Sequence, residues 1–113
     1  MNGTERITKV SGDEFEGMVI GSGRAVVVDF WATWCDPCRR LEELLHEIAP
    51  DYEDRVSFLK IDVSENGQLA ARYSVRSIPM LLFFRGGQVV DQASGFMSRE
   101  SLEKKIRSLA ESA

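Results

Sequence analysis

Two cysteines, Cys35 and Cys38, are the only thiols in this 113-residue chain. They follow an apolar stretch and precede a helical pattern, so the positive end of a helix dipole can stabilise a thiolate at the first sulfur. The thiolate is the nucleophile in disulfide exchange, and two thiols at this spacing can close a disulfide reversibly within the chain. The pair therefore predicts redox chemistry.

A structural disulfide and a zinc site are the alternatives. A bridge spanning four residues constrains the unfolded chain by only about 2 kcal/mol in the loop-entropy model, so it is a poor covalent staple. Tetrahedral zinc needs four ligands, and the single histidine, His46, lies about 12 Å beyond Cys38 along a helix. Both alternatives are weaker than reversible redox chemistry for a cytoplasmic protein, where structural disulfides are rare.

Composition favours one soluble domain over residues 1–113. The 14 basic residues are dispersed among 18 acidic ones and the net charge is -4, which argues against nucleic acid and anionic membranes as partners. The opening sequence MNGTERITKV lacks the apolar core of a signal peptide. The longest apolar stretch, residues 25–32, is interrupted by Asp29 and is shorter than the about 20 residues of a membrane span. We expect a cytoplasmic location.

Periodicity and turn residues predict five strands and four helices in the order βαβαβαββα. The fold class is thus α/β, with a central mixed sheet flanked by four helices, parallel crossovers early and an antiparallel hairpin late. In the first helix, Phe15, Met18 and Val19 are predicted to face inward. The predicted strands are residues 7–10, 25–31, 56–63, 80–84 and 88–93, and the helices are residues 11–20, 37–50, 65–73 and 98–109.

Asp29 interrupts the apolar strand that precedes the cysteines. Val27 and Trp31 share its face of the strand, so the carboxyl group is predicted to be buried, with its pKa raised by desolvation. Such a group suits a proton acceptor near neutral pH. A buried structural carboxylate is the alternative interpretation.

With these segments in this order, the chain closely resembles the thioredoxin family from Ile7 to Leu109. The similarity rests on both the motifs and their spacing along the chain. The segments that carry it are residues 28–32 (VDFWA), 34–38 (WCDPC), 60–63 (KIDV), 73–79 (YSVRSIP) and 84–87 (FRGG), together with Gly95.

The resemblance implies a role for each matching catalytic position. Cys35 is expected to be the exposed attacking thiolate, and Cys38 the more buried thiol that resolves the mixed disulfide. Asp29 and Lys60 match a buried carboxylate and its lysine neighbour, which manage the proton on Cys38. Pro79 matches a cis proline opposite the disulfide, where an ordinary trans proline is the default expectation.

The resemblance also implies a surface that receives the substrate. Its apolar rim comprises Trp34, Ile78, Pro79 and Gly95, although Trp34 and Ile78 are alternatively interpreted as core residues. The backbone before the proline is expected to pair with the substrate chain. The full set of expected substrate-binding residues is Trp34, Asp36, Pro37, Ser77, Ile78 and Gly95.

A protein disulfide reductase is the activity that this resemblance implies. Electrons would come from a thioredoxin reductase, either NADPH-dependent or ferredoxin-linked. They would pass to disulfide-containing proteins such as peroxiredoxins, ribonucleotide reductase and sulfoxide reductases. No bound cofactor is expected, since the sequence has no nucleotide-binding glycine loop. A monomer is expected.

Asp36 departs from the family, in which glycine is usual at this position. A carboxylate roughly 6 to 8 Å from the Cys35 sulfur destabilises its thiolate by about 0.5 to 2 kcal/mol, which favours the disulfide and a more negative reduction potential. This argues against a disulfide oxidase or isomerase, the nearest alternative among enzymes. A redox-independent binding module with a thioredoxin fold is the alternative outside catalysis. The residues Arg39, Arg40 and His46 are interpreted as a solvated helix face.

Overall fold

The computed structural model describes residues 6–111, so the expected domain extends beyond the described residues at both ends. Five strands form one sheet in the order β1-β3-β2-β4-β5. The first three strands are parallel, and β4 and β5 run antiparallel to their neighbours. The strands are β1 Thr8–Lys9, β2 Ala25–Trp31, β3 Val56–Asp62, β4 Met80–Arg85 and β5 Gln88–Ser94. The predicted mixed sheet is confirmed.

Four helical segments flank the sheet, as predicted. They are α1 Gly12–Phe15, which continues as a π-helical turn over Glu16–Ile20, then α2 Asp36–Ile48, α3 Gly67–Arg72 and α4 Arg99–Glu111. A 3-10 turn, Ala49–Asp51, follows α2. Most boundaries differ from the predicted ones by one or two residues, since helix and strand ends carry the weakest sequence signals.

The central strand β2 separates two hydrophobic clusters. Because side chains alternate along a strand, Val27 joins the cluster that α2 and α4 cover, whereas Val26, Val28 and Phe30 join the one that α1 and α3 cover. Residues 26–30 of β2 are all buried. The strand thus has the two-sided burial expected of a parallel strand inside an α/β sheet.

The prediction that Met18 faces inward is wrong. Met18 is 39% exposed, whereas Phe15 and Val19 are buried as expected. The amide of Gly21 donates to the carbonyl of Glu16, an i to i+5 bond that widens the helix at this point. The wider turn breaks the period from which an inward Met18 was inferred.

The turn between β4 and β5 depends on two glycines. Gly86 and Gly87 have positive φ angles of 57° and 80°, the backbone conformation of a tight hairpin turn. A Cβ at Gly87 would also lie 3.1 Å from the carbonyl oxygen of Ile20. The paired glycines therefore fix the hairpin that was predicted at this point.

Phe84 provides a test of the packing between β4 and the α1 and α3 layer. Its buried ring lies 5.7 Å from the ring of Phe15 and 5.6 Å from that of Tyr73. Replacing it by alanine leaves a cavity among these rings, so Phe84→Ala is expected to lower the free energy of unfolding by about 3 to 5 kcal/mol in urea titrations.

The matched control is Val89→Ala, on the strand opposite. Val89 pairs with Phe84 in the β4-β5 register but is 41% exposed. We expect a loss of less than about 1 kcal/mol, because little apolar surface leaves a packed environment. Equal losses in the two variants would contradict the packing described here.

Candidate active site

Cys35 lies in the turn between β2 and α2, after the end of the central strand, and Cys38 lies in the first turn of α2. They form a disulfide with a Cα to Cα distance of 5.3 Å, which confirms the expected pairing. Both sulfurs pack in a small cluster with Ala32, which Trp31, Val63 and Ile78 adjoin. Ile78, about forty residues away in sequence, is thus brought to the cysteines.

Cys35 occupies the N-cap position of α2. Its sulfur accepts a hydrogen bond from the amide of Cys38 at 3.2 Å, and Pro37 lies in the first turn of the helix, where its missing amide hydrogen costs nothing. Backbone N–H groups and the helix dipole both favour negative charge at this end of a helix. After reduction, the first sulfur is therefore the one whose thiolate the helix stabilises.

The expected exposure of Cys35 holds only in relative terms. Cys35 is 6% exposed and Cys38 is 1% exposed, so the first sulfur is the more accessible of two largely buried ones. Packing against the adjoining apolar side chains accounts for the small exposed fraction of Cys35. Trp34, in contrast, is 70% exposed, which excludes the alternative that it belongs to the core.

The segment before β4 faces the disulfide cluster. The Ile78–Pro79 peptide bond is cis, as the resemblance implied, and Pro79 is buried. The amide of Gly95 donates to the carbonyl oxygen of Pro79 at 2.8 Å, so Gly95 lies beside the proline. Ser77 is exposed immediately before this pair of residues. Asp36 is also exposed, at the start of α2.

Asp29 is fully buried in the middle of β2. Neither of its carboxylate oxygens has a hydrogen-bond partner among residues 6–111. The pKa of Asp29 is raised to about 8, mainly by burial and also by the negative charge of Glu42, while the positive charge of Lys60 opposes both. The predicted burial is confirmed, and the carboxyl group is poised to exchange a proton near neutral pH.

Lys60 lies beside Asp29 in the register of β2 and β3, but its ammonium group is bound elsewhere. Lys60 Nζ donates to Glu42 Oε2 at 2.8 Å and lies 4.8 Å from the centre of the Trp31 ring. Glu42 also lies 3.4 Å from the imidazole Nε2 of His46. Glu42 was not predicted as a site residue, because the spacing of residues within α2 does not show which strand residue lies beneath it.

Two arginines of α2, interpreted above as solvated, have defined partners. Arg39 pairs with the carboxylate of Asp36 and donates to the carbonyl oxygen of Thr33 at 2.7 Å. Arg40 stacks over the exposed ring of Phe96, 5.6 Å from its centre. The spacing of Asp36 and Arg39, one helical turn apart, is a sequence signal for the first contact. Arg39 offsets part of the negative charge that Asp36 places near Cys35.

Comparison with known proteins identifies the family. The family model described as "Thioredoxin" matches residues 6–108. Thioredoxins of three Staphylococcus aureus strains, Mu50 / ATCC 700699, MW2 and N315, are each 46% identical over 100 residues, which cover 88% of this chain and 94% of the relative. The chain belongs to the thioredoxin family. It is a disulfide oxidoreductase, a thiol–disulfide reductase with the thioredoxin fold.

Within residues 6–111, His, Cys, Asp and Glu side chains form no group of three or more that could hold a metal ion. The same part of the chain has no helix that is both long enough and apolar enough to cross a membrane.

Asp29→Asn tests the unpartnered carboxyl group through the stability of the fold. The folded protein keeps the Asp29 proton up to about pH 8, whereas the unfolded chain releases it near the ordinary value of 3.8. The unfolded state thus binds fewer protons than the folded state over this range. The free energy of unfolding therefore falls as the pH rises from 4 to 8, and the destabilising effect of Asp29 grows. Asp29→Asn is expected to match the wild type near pH 4 and to be about 5 to 6 kcal/mol more stable above pH 8, since each unit of pKa difference is worth about 1.4 kcal/mol.

Asp62 is the matched control, because it is the other buried aspartate. Its carboxylate accepts hydrogen bonds from the amide and the hydroxyl of Ser64, at 2.9 and 2.6 Å. Asp62→Asn is expected to lose about 1 kcal/mol at neutral pH, since an amide oxygen accepts more weakly than a carboxylate. Urea titrations across pH 4 to 9 measure both effects. A difference between Asp29→Asn and wild type that stays constant with pH would refute the burial argument.

Proposed function

We propose that this chain is a small cytoplasmic thioredoxin, a single domain over residues 1–113, in which a Cys35-Asp36-Pro37-Cys38 site reduces protein disulfides. The observation that carries the proposal is the position of the cysteine pair. Cys35, the more accessible of the two, is the N-cap residue of α2, and its sulfur accepts a hydrogen bond from the amide of Cys38. The second cysteine, Cys38, is almost fully buried. An attacking sulfur and a resolving sulfur need these two environments.

The reaction follows from the two sulfurs. The Cys35 thiolate attacks one sulfur of a substrate disulfide, a new bond forms between them, and the other substrate sulfur leaves as a thiolate. Cys38 then loses its proton and attacks the Cys35 sulfur of this mixed disulfide. The Cys35–Cys38 disulfide forms, and the second substrate thiolate is released. Two electrons have passed from the dithiol to the substrate.

Asp29 is the proposed acceptor of the Cys38 proton. A general base works best when its pKa lies near the working pH, and burial raises the pKa of Asp29 to about 8. With no hydrogen-bond partner among the described residues, its oxygens are not committed to another donor. Lys60, in register beside it on β3, supplies the nearby positive charge in this scheme.

The substrate would lie across the exposed ring of Trp34 and the segment Ser77, Ile78 and Pro79, with Gly95 completing the rim. Trp34 offers a large exposed apolar face, and Ile78 packs against the cysteines. The backbone before Pro79 would pair with the extended substrate chain, as added strands do at open sheet edges. Asp36 and Pro37 would contact the substrate from the start of α2.

The proposed partners follow from this role. A thioredoxin reductase would restore the dithiol, and protein disulfides of the peroxiredoxin, ribonucleotide reductase and sulfoxide reductase types would consume it. The protein would act as a monomer without a bound cofactor, since the electrons travel on the two cysteines themselves.

Trapping of the mixed disulfide tests the assignment of the two cysteines. Without its resolving thiol, Cys38→Ser is expected to remain attached to a substrate such as insulin, and a non-reducing gel with mass spectrometry detects the adduct. Cys35→Ser is the control and is expected to form at least tenfold less adduct, because Cys38 is almost fully buried. Preferential trapping by Cys35→Ser would reverse the assignment.

Asp36→Gly tests the effect of the unusual residue between the cysteines. Removing the carboxylate stabilises the Cys35 thiolate, so the reduction potential is expected to become less negative, by at most a few tens of millivolts. Arg39, which pairs with Asp36, keeps the change small. Asp36→Asn removes the charge alone and is expected to move the potential in the same direction. Equilibration in graded dithiol buffers measures both; a more negative potential in either variant would contradict this account.

A further inference from the structure

The ammonium group of Lys60 is bound to Glu42 and makes no hydrogen bond to the buried carboxyl group of Asp29. Lys60 and Asp29 are neighbours on adjacent strands, yet Lys60 Nζ donates to Glu42 Oε2 at 2.8 Å, on the side of the sheet that α2 covers. The Lys60 and Glu42 side chains are only 15% and 19% exposed. Both oxygens of Asp29 lack a hydrogen-bond partner among residues 6–111. The lysine therefore pairs with the helix carboxylate.

We infer that Glu42 is a positioning residue for Asp29: by binding Lys60 and by its own negative charge, it keeps the ammonium group from pairing with the buried carboxyl group, which can then take up and release a proton near neutral pH. The inference rests on the proposed role of Asp29 in moving the Cys38 proton. An ammonium group that bound Asp29 directly would stabilise the carboxylate form and withdraw the proton. Glu42 thus sets the pH range in which the buried acid can exchange its proton.

The groups around Glu42 support this arrangement. Glu42 lies at a recess of about 310 Å³ that Lys60 on β3 and Trp31 on β2 also line. From α2, Arg39, Glu43 and His46 border the same recess. Trp31 holds the ammonium group from a second side, with Nζ 4.8 Å from its ring centre.

The balance of charges agrees with the geometry. Burial is the main cause of the raised pKa of Asp29, and the effect of Glu42, which raises it, is larger than the opposing effect of Lys60. His46 Nε2, 3.4 Å from Glu42 Oε2, adds a second positive group on the same carboxylate when it is protonated.

The test is the titration of Asp29 in the oxidised full-length protein, followed by the carboxyl ¹³C shift in NMR. The disulfide form is used because its cysteines do not titrate. Glu42→Gln removes the negative charge and releases Lys60 toward Asp29, so the midpoint is expected to move to lower pH by about one pH unit. An unmoved midpoint would overturn the inference.

Glu43→Gln is the matched control. It removes the same charge from the next residue of α2, on an exposed side chain that lines the same recess. Its Asp29 midpoint is expected to stay near that of the wild type. If Glu43→Gln moved the midpoint as far as Glu42→Gln, a general charge effect would replace the specific one.

A double-mutant cycle isolates the part that Lys60 carries. In a Lys60→Met background no ammonium group can turn to Asp29, so adding Glu42→Gln is expected to move the midpoint less than it does in the wild type. An equal displacement in both backgrounds would overturn the positioning role.

A separate experiment tests the proposed reductase function. Titration in the disulfide form involves no thiol–disulfide exchange, so it reports on Glu42 whether or not Asp29 accepts the Cys38 proton during the reaction. The rate of insulin reduction by Asp29→Asn tests this proton-acceptor role. A wild-type rate at every pH from 6 to 9 would refute it. In the active protein, the inflection of the pH–rate profile that Asp29 causes is expected to move to lower pH in Glu42→Gln.

Discussion

Burial of β2 on both faces is the constraint on which the rest of this molecule depends. The strand lies between β3 and β4, its alternate side chains fill two separate clusters, and helices cover each cluster. A polar residue in such a strand cannot reach water by turning, so the carboxyl group of Asp29 stays in an apolar setting. An ionised carboxylate in such a setting would carry a large desolvation cost. The neutral, protonated form avoids this cost, which is why the folded state retains the proton. The same strand delivers the cysteine turn at its end, so one element holds both the buried acid and the redox pair.

The environment of Lys60 shows why its positive charge does not offset the effect of burial on the pKa of Asp29. Its ammonium group is largely shielded from water and gains compensation from the carboxylate of Glu42 and the face of Trp31. Two partly buried charges that pair with each other recover part of their desolvation cost. A third charge at Asp29 would have to share the single ammonium group with Glu42. The sheet therefore accommodates one ionised pair and one neutral acid more readily than three ions.

Much of the fold was predictable because the deciding interactions repeat along the sequence. The apolar run of β2, the Leu41, Leu45 and Ile48 stripe of α2 and the paired glycines of the hairpin each carry a local signal, and the structure has all three elements. The cysteine pair and the burial of Asp29 were also within reach of pattern and spacing. The outward turn of Met18 was not, since a π-helical turn follows from packing rather than from period. Glu42 and the stacking of Arg40 on Phe96 depend on which elements become neighbours, which no local pattern contains.

At the start of α2, Asp36 has two opposing effects: it stabilises the helix and destabilises the thiolate of Cys35. In the first turn of the helix, the carboxylate of Asp36 complements the dipole, and this gain is the same whether the cysteines are oxidised or reduced. The thiolate of Cys35 exists only after reduction, so the repulsion from Asp36 acts on one redox state alone. Arg39, one helical turn further along, pairs with Asp36, and its positive charge offsets part of the repulsion that Asp36 exerts on the Cys35 thiolate. Because both side chains are more than half exposed, solvent screens each of these effects. The buried groups around Asp29 lack that screening, so a charge change there acts more strongly than one beside the cysteines.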